Sequence, residues 1–276
     1  MEEQNHDKAP DAATPADEGQ ELIIETRDHV RIFTVNRPER MNAFTPDLQL
    51  ALSHAFIEAE HDDDVRVIIL TGTGDRAFSS GMDMKVRKAA DDAGKPFRYK
   101  MATPYRYLLE VILETNKPVI AALNGSAVAG GFETALACDL RVACEHAKLG
   151  LPEAKRGMGA HFSTIMLPRV IPRAFALEML FSGEYITAER AYQYGLLNRV
   201  VPMGEALNAA MEIATTIAKN APVTVRRMKE TATKSSGMPI VSALRLNEGL
   251  NPYLSEDRKE GVRAYVEKRE PQWKGR

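Results

Sequence analysis

Residues 124–139 read NGSAVAGGFETALACD, with two adjacent glycines, Gly130 and Gly131, inside an apolar run and a single carboxylate, Glu133, two residues further on. A second glycine-containing stretch, AFSSGMD, occupies 77–83. Glycine lets backbone approach a ligand closely and leaves its N–H open to it. Two such loops at the ends of neighbouring strands could aim two N–H donors at one oxygen, the arrangement that stabilises a developing oxyanion. Losing one such donor typically costs roughly 3–4 kcal/mol of transition-state stabilisation. A plain strand-to-helix turn, with Gly131 letting the chain turn into the helix, accounts for the glycines as well, but it leaves the acid unexplained. Glu133 falls at the start of a helix continuing through Thr134–Ala137, in a setting where a carboxylate is costly unless paired or hydrogen-bonded. The simpler alternative is a first-turn acid favoured by the helix dipole. Glu153 follows an apolar run and a proline in LGLPEAKRG, residues 149–157. Two acids beside a pair of amide donors point to a paired acid/base site.

The elements that must carry these residues can be read around them. ELIIE and HVRIFTV are β-rich runs, the second alternating Val30, Ile32 and Thr34 against Arg31, Phe33 and Val35, with a hairpin turn expected at Asp28–His29. Thr45-Pro46 is a helix start, an N-cap hydroxyl with proline at the first helical position, and Leu48, Leu52, Ala55, Phe56 and Ala59 follow at helical spacing. Residues 65–72, 119–123 and 140–144 are apolar runs of strand length, and GTGDRAFSSG after the first is expected to be a loop. A helix is expected over Tyr105–Leu113. Strands apolar on both faces, alternating with helices, indicate an α/β fold with largely parallel, doubly covered strands. From about residue 164 the chain reads as helical, in runs 173–181, 188–194, 204–219, 222–234, 239–250 and 256–267 punctuated by Pro172, Pro202, Pro222 and Pro239.

Composition limits the function classes. The chain has 276 residues, 44% of them hydrophobic, and a formal net charge of −2, so no basic field points to nucleic acid. No apolar stretch of about 18 residues predicts a membrane span. Cys138 and Cys144 lack the partners of a disulfide framework or a zinc site; buried free thiols suit a reducing, cytoplasmic setting. The acidic first 20 residues lack large apolar side chains and are expected to be a disordered tail.

NRPERMNAF (36–44), RAFSSGMDM (76–84), NKPVIAALNGSAVAGGFETALACD (116–139) and LPEAKRG (151–157), taken together, resemble the crotonase (enoyl-CoA hydratase/isomerase) superfamily in order and spacing. The ending EKREPQWKGR (267–276) is similar to a subgroup that includes carnitinyl-CoA dehydratase. The resemblance implies an α/β crotonase-like fold of ββα repeats forming a spiral core over 21–205, and a C-terminal helical trimerisation region over 206–276. It implies Met82 and Gly130 as the oxyanion-hole amides for the thioester carbonyl of an acyl-CoA, and Glu133 and Glu153 as the catalytic pair. Glu133 would act as base on a water and Glu153 as the donor of a proton to Cα. Ala43, Ala77, Met82, Asp83, Met84, Lys85 and Gly130 match substrate-binding positions. A homotrimer or a hexamer (dimer of trimers) is implied, with no cofactor beyond the coenzyme A of the substrate. Because both glutamates are present, hydration and dehydration are favoured over isomerisation; a carnitinyl-CoA dehydratase-like or isomerase activity is the alternative. The sequence departs from the family at Ala129, where the first of three glycines usually stands, and at His161 and Phe162, bulky residues beside the expected acyl end.

Two other classes fit less of the chain. Gly72, Gly74 and Ala77 satisfy a G-x-G-x-x-A dinucleotide fingerprint after a strand, but that reading needs a helix where Gly81 stands and leaves both acids idle. A non-catalytic scaffold of the same fold leaves the retained glutamates without a purpose.

Overall fold

The computed structural model describes residues 20–95, 106–247 and 249–276. All but the last residue of the expected tail, and Tyr105 of the expected helix, lie outside these. The chain opens with a hairpin of β1 (Leu22–Arg27) and β2 (Val30–Val35). Its turn residues Asp28 and His29 have φ of 48° and 66°, the left-handed pair that matches the twist of a two-residue hairpin. Helix α1 (Pro46–His61) follows, with the Thr45 hydroxyl accepting the Leu48 amide at 3.1 Å as expected of an N-cap. Strands β3 (Val67–Gly72), β5 (Val119–Leu123), β7 (Leu140–Cys144) and β10 (Arg199–Val201) extend β2 in parallel, giving a six-stranded sheet of order β1-β2-β3-β5-β7-β10.

Both faces of this sheet are covered, which is why its central strands are continuous apolar runs. Val30, Ile32, Val67, Ile69, Ile120, Ala122, Val142 and Cys144 meet helix α8 (Ala206–Ala218) through its alanines 206, 209, 210, 214 and 218, whose small side chains let the helix lie close. Phe33, Val35, Ile68, Leu70 and Ala121 face the other way. They pack with α1, α3 (Leu108–Glu114) and α4 (Gly130–Ala137), and Phe33 meets Phe56 edge to face at 4.9 Å between centroids. Lys117, buried at the foot of β5, donates to the carbonyls of Ala59 and Asp62 at the end of α1. Burial, followed by the nearby charge of Arg226, lowers its pKa to about 8.

A second sheet, not foreseen from the sequence, has the order β4-β6-β8-β9, from β4 (Ala77–Ser79), β6 (Ser126–Val128), β8 (Lys148–Gly150) and β9 (Tyr185–Thr187). Three-residue strands are too short to show alternation. Thus part of the expected loop after β3 is strand β4, and the dinucleotide fingerprint runs into a strand where it requires a helix. Helix α2 (Met84–Asp92) follows β4, and the second half of the chain adds α5 (His161–Val170), α6 (Arg173–Ser182), α7 (Ala188–Gln193), α9 (Pro222–Lys234), α10 (Ile240–Ala243) and α11 (Glu256–Glu267). Two expectations for this half are corrected: β9 and β10 interrupt the helical run, and the helix expected over 239–250 shrinks to the four residues of α10. Residues 270–276 fold back on α11. The amides of Lys274 and Gly275 donate to Asp257, the Gln272 amide and Arg269 donate to Glu260, and the Trp273 indole donates to the Lys219 carbonyl at 2.7 Å.

Candidate active site

The second sheet brings the two glycine-containing loops together. Gly81 follows β4 with φ of 83°, and a Cβ there would stand 2.7 Å from the Gly130 nitrogen, so both conformation and space demand glycine. At Gly131 a Cβ would come within 2.2 Å of the Ser79 carbonyl oxygen. Gly131 is therefore needed for backbone-on-backbone approach and not, as expected, for the turn into α4. That turn is made by Ala129, whose φ of 52° and ψ of −128° are normally left to glycine.

The loop carrying Met82 is pinned on both sides. The Phe44 amide donates to the Gly81 carbonyl at 2.7 Å, and the Asp83 amide donates to the Phe44 carbonyl at 3.0 Å. The Met82 amide is left out of this bridge. Gly130 opens α4, where the first amides of a helix have no partner within it. Among the described residues neither amide meets an acceptor. A Cβ at Gly130 would sit 3.8 Å from the Met82 nitrogen, so the two donors border one small space.

The block NRPERMNAF braces this loop from behind. Asn42 receives the Arg37 amide and donates to the carbonyls of Thr73 and Ala77. Arg37 reaches the Ala43 carbonyl at 2.6 Å and Asp83 at 3.2 Å. Asp83 caps α2 by accepting the Lys85 and Val86 amides. Burial alone would raise its pKa, but these amides and the Arg37 guanidinium outweigh it and hold the carboxyl below its usual range.

Both glutamates enter the cleft that borders the amides. Glu133, 7% exposed, projects from α4, and its Oε1 accepts both the amide (3.1 Å) and the hydroxyl (3.0 Å) of Ser163 from α5. Glu153, also 7% exposed, lies on the 3-10 turn Pro152–Arg156, which Gly157 closes at φ of 63°. Its Oε2 is buried without a hydrogen-bond partner. Burial is the chief cause raising the Glu153 pKa above its ordinary value; its own amide opposes this, the charge of Glu133 adds to it and Arg156 subtracts. One carboxylate held as an acceptor and one that favours its proton, beside two open amides, can polarise a carbonyl, deprotonate a water and deliver a proton.

The rest of the cleft wall is Gln49, Ser80, Met84, Tyr107, Ala129, Pro152, Arg156, Met158 and Gly159. Of the residues expected at the site, Met82, Met84, Gly130, Glu133 and Glu153 come together here. Ala43 and Ala77 are buried behind the loops with their carbonyls engaged, Asp83 is a helix cap, and Lys85 is exposed on α2; none of the four lines the cleft. His161 and Phe162, expected beside the acyl end, do not line it either, and Phe162 packs on the core. Ser163 and Arg156 were not foreseen. The only signal for Ser163 was its four-residue spacing from Leu167 and Ile171, which puts all three on one buried face.

Comparison with known proteins follows the same outline. Residues 25–276 match the family model described as enoyl-CoA hydratase/isomerase. The chain is similar to the (E)-benzylidenesuccinyl-CoA hydratase of Thauera aromatica, 39% identical over 259 residues that cover 92% of this chain and 99% of the relative. It is also similar to the carnitinyl-CoA dehydratase of Salmonella enteritidis, 38% identical over 250 residues, covering 88% of this chain and 94% of that one. The crystal structure of an enoyl-CoA hydratase from Mycobacterium tuberculosis superposes with a TM-score of 0.83 at 36% identity, covering 93% of this chain and 99% of that one.

Proposed function

The chain belongs to the enoyl-CoA hydratase/isomerase family, and from that premise we propose how its cleft adds water to a trans-2-enoyl-CoA. The enzyme is a hydratase. The Met82 and Gly130 amides receive the thioester oxygen and stabilise the enolate that forms when water attacks Cβ. Glu133, with Oε1 occupied by Ser163, takes the water proton through its other oxygen. Glu153, whose raised pKa suits an acid, delivers a proton to Cα; in dehydration the roles reverse. The observation that carries this reading is the convergence of two acceptor-free amides and two buried carboxylates on one cleft.

The test is loss of the conjugated enoyl absorbance with crotonyl-CoA as substrate. Glu133→Gln and Glu153→Gln should each lower kcat by about 10²–10⁴-fold while binding of a saturated acyl-CoA persists. A rate unchanged in both variants would refute the assignment. We further propose that no cofactor is needed beyond the coenzyme A of the substrate, since amides and carboxylates supply every step above. Ala43, Ala77, Asp83 and Lys85 are proposed to support the coenzyme A end, outside the cleft that holds the reacting atoms, and Met84 to meet the substrate from the cleft wall itself. The region 206–276 is proposed to build a homotrimer or a dimer of trimers: Ile240, Leu244, Leu254, Tyr265 and Val266 are 73–86% exposed in a single chain, large apolar side chains that water disfavours. A cytoplasmic setting is supported by the two buried free thiols.

A further inference from the structure

Arg156 has no use in the mechanism above, yet it lines the same cleft as both glutamates. It ends the 3-10 turn Pro152–Arg156, three residues after Glu153. In that helix side chains three apart eclipse, one turn or roughly 6 Å along the axis, so Glu153 and Arg156 leave the turn on one side. The intervening Lys155 pairs elsewhere, with Glu184 at 2.6 Å. Among the described residues no carboxylate pairs with Arg156, an exposed side chain, and it is the only cation in a cleft wall that also includes Met82, Met84 and Met158. A guanidinium offers a planar fork of donors that matches a carboxylate. An ammonium in the same place would meet like charge.

We propose that Arg156 selects an enoyl-CoA whose acyl chain carries a carboxylate close to the double bond. This rests on the hydratase reading and adds the substrate class to it. The carboxylate lies one turn of the 3-10 helix beyond the carboxyl that protonates Cα, on a substituent of Cα or Cβ.

The test compares three thioesters on the same coenzyme A: a mono-CoA ester of an unsaturated dicarboxylic acid, the methyl ester of its free carboxyl, and a trimethylammonium-bearing enoyl-CoA. Using one handle cancels any contact of Arg156 with the coenzyme A phosphates. The wild type should prefer the carboxylate over its methyl ester in kcat/KM. In Arg156→Gln that preference should fall on the order of tenfold or more, and the trimethylammonium substrate should gain relative to the methyl ester. Arg156→Lys should keep only part of the preference, having charge without the fork. A carboxylate-to-ester ratio equal in wild type and Arg156→Gln overturns the proposal, as does a uniform loss on all three substrates, which would assign Arg156 to the coenzyme A phosphates or to Glu153. Hydration of the methyl ester with no carboxylate preference removes this proposal and leaves the hydratase reading intact, as does hydration of crotonyl-CoA with none of the three; hydration of neither crotonyl-CoA nor any of the three removes both.

Discussion

At Glu133 two donors from one residue fall on one oxygen. Oε1 accepts from both the amide and the hydroxyl of Ser163, so the other oxygen is the one left to meet water. Ser163→Ala keeps the amide and deletes the hydroxyl. Hydrogen bonds to charged groups contribute about 1.5–3 kcal/mol, so kcat should fall roughly tenfold or more with KM little changed, and Ser163→Thr should recover part of the rate. A shift in KM alone would show that Ser163 serves substrate binding instead. Glu153 makes the opposite prediction for stability. Its folded pKa is raised, chiefly by burial, so the folded state holds its proton more tightly than the unfolded chain. Stability is therefore lost as pH rises from the ordinary carboxylate value through the folded one. Glu153→Gln should melt at higher temperature than the wild type at neutral pH, with the gain shrinking as the buffer is taken below the ordinary carboxylate range. The wild-type hydration rate should also fall as pH rises through the raised pKa, and Glu153→Gln should lack that limb.

At the scale of elements, the loops that carry the Met82 and Gly130 amides depend on contacts with no room for a side chain. Gly131→Ala would place a methyl 2.2 Å from the Ser79 carbonyl oxygen, and both partners are backbone. Overpacking of this kind costs typically 1–3 kcal/mol. We expect a loss of about that size in a thermal melt, and a fall in kcat among the molecules that remain folded, because the Met82 and Gly130 amides must part. Wild-type kcat in a stable Gly131→Ala enzyme would show that the loops have more slack than their contacts indicate. This scale also divides what could be read from the sequence. The runs 65–72, 119–123 and 140–144 announced themselves because strands covered on both faces are apolar throughout. Ala77–Ser79, Ser126–Val128 and Lys148–Gly150 did not, since three residues carry no period, and the sheet they build is what presses the loops together. Glu133 and Glu153 were legible from residue type and family resemblance. Ser163 and Arg156 were not, because one depends on the approach of α5 to α4 and the other on a 3-10 turn hidden inside LPEAKRG.

Across the whole molecule, the large apolar side chains exposed in the C-terminal third are what the proposed assembly rests on. Leu244 and Tyr265 are 81% and 86% exposed. Light scattering should give a trimer or hexamer mass for the wild type, and Leu244→Glu with Tyr265→Glu should shift it toward the monomer; a wild type that is monomeric at micromolar concentration would remove the proposed assembly. The folded-back tail has a different consequence, for how this protein is measured. Trp273 is the only tryptophan in the chain. It is held by the Lys219 carbonyl and rests on Gly261, where a Cβ would come within 3.2 Å of the indole. Tryptophan emission therefore reports directly whether this clasp is seated. In a denaturant titration, an emission midpoint that coincides with the circular dichroism midpoint shows clasp, α8 and sheets unfolding as one unit, and an earlier emission midpoint shows the clasp leaving first.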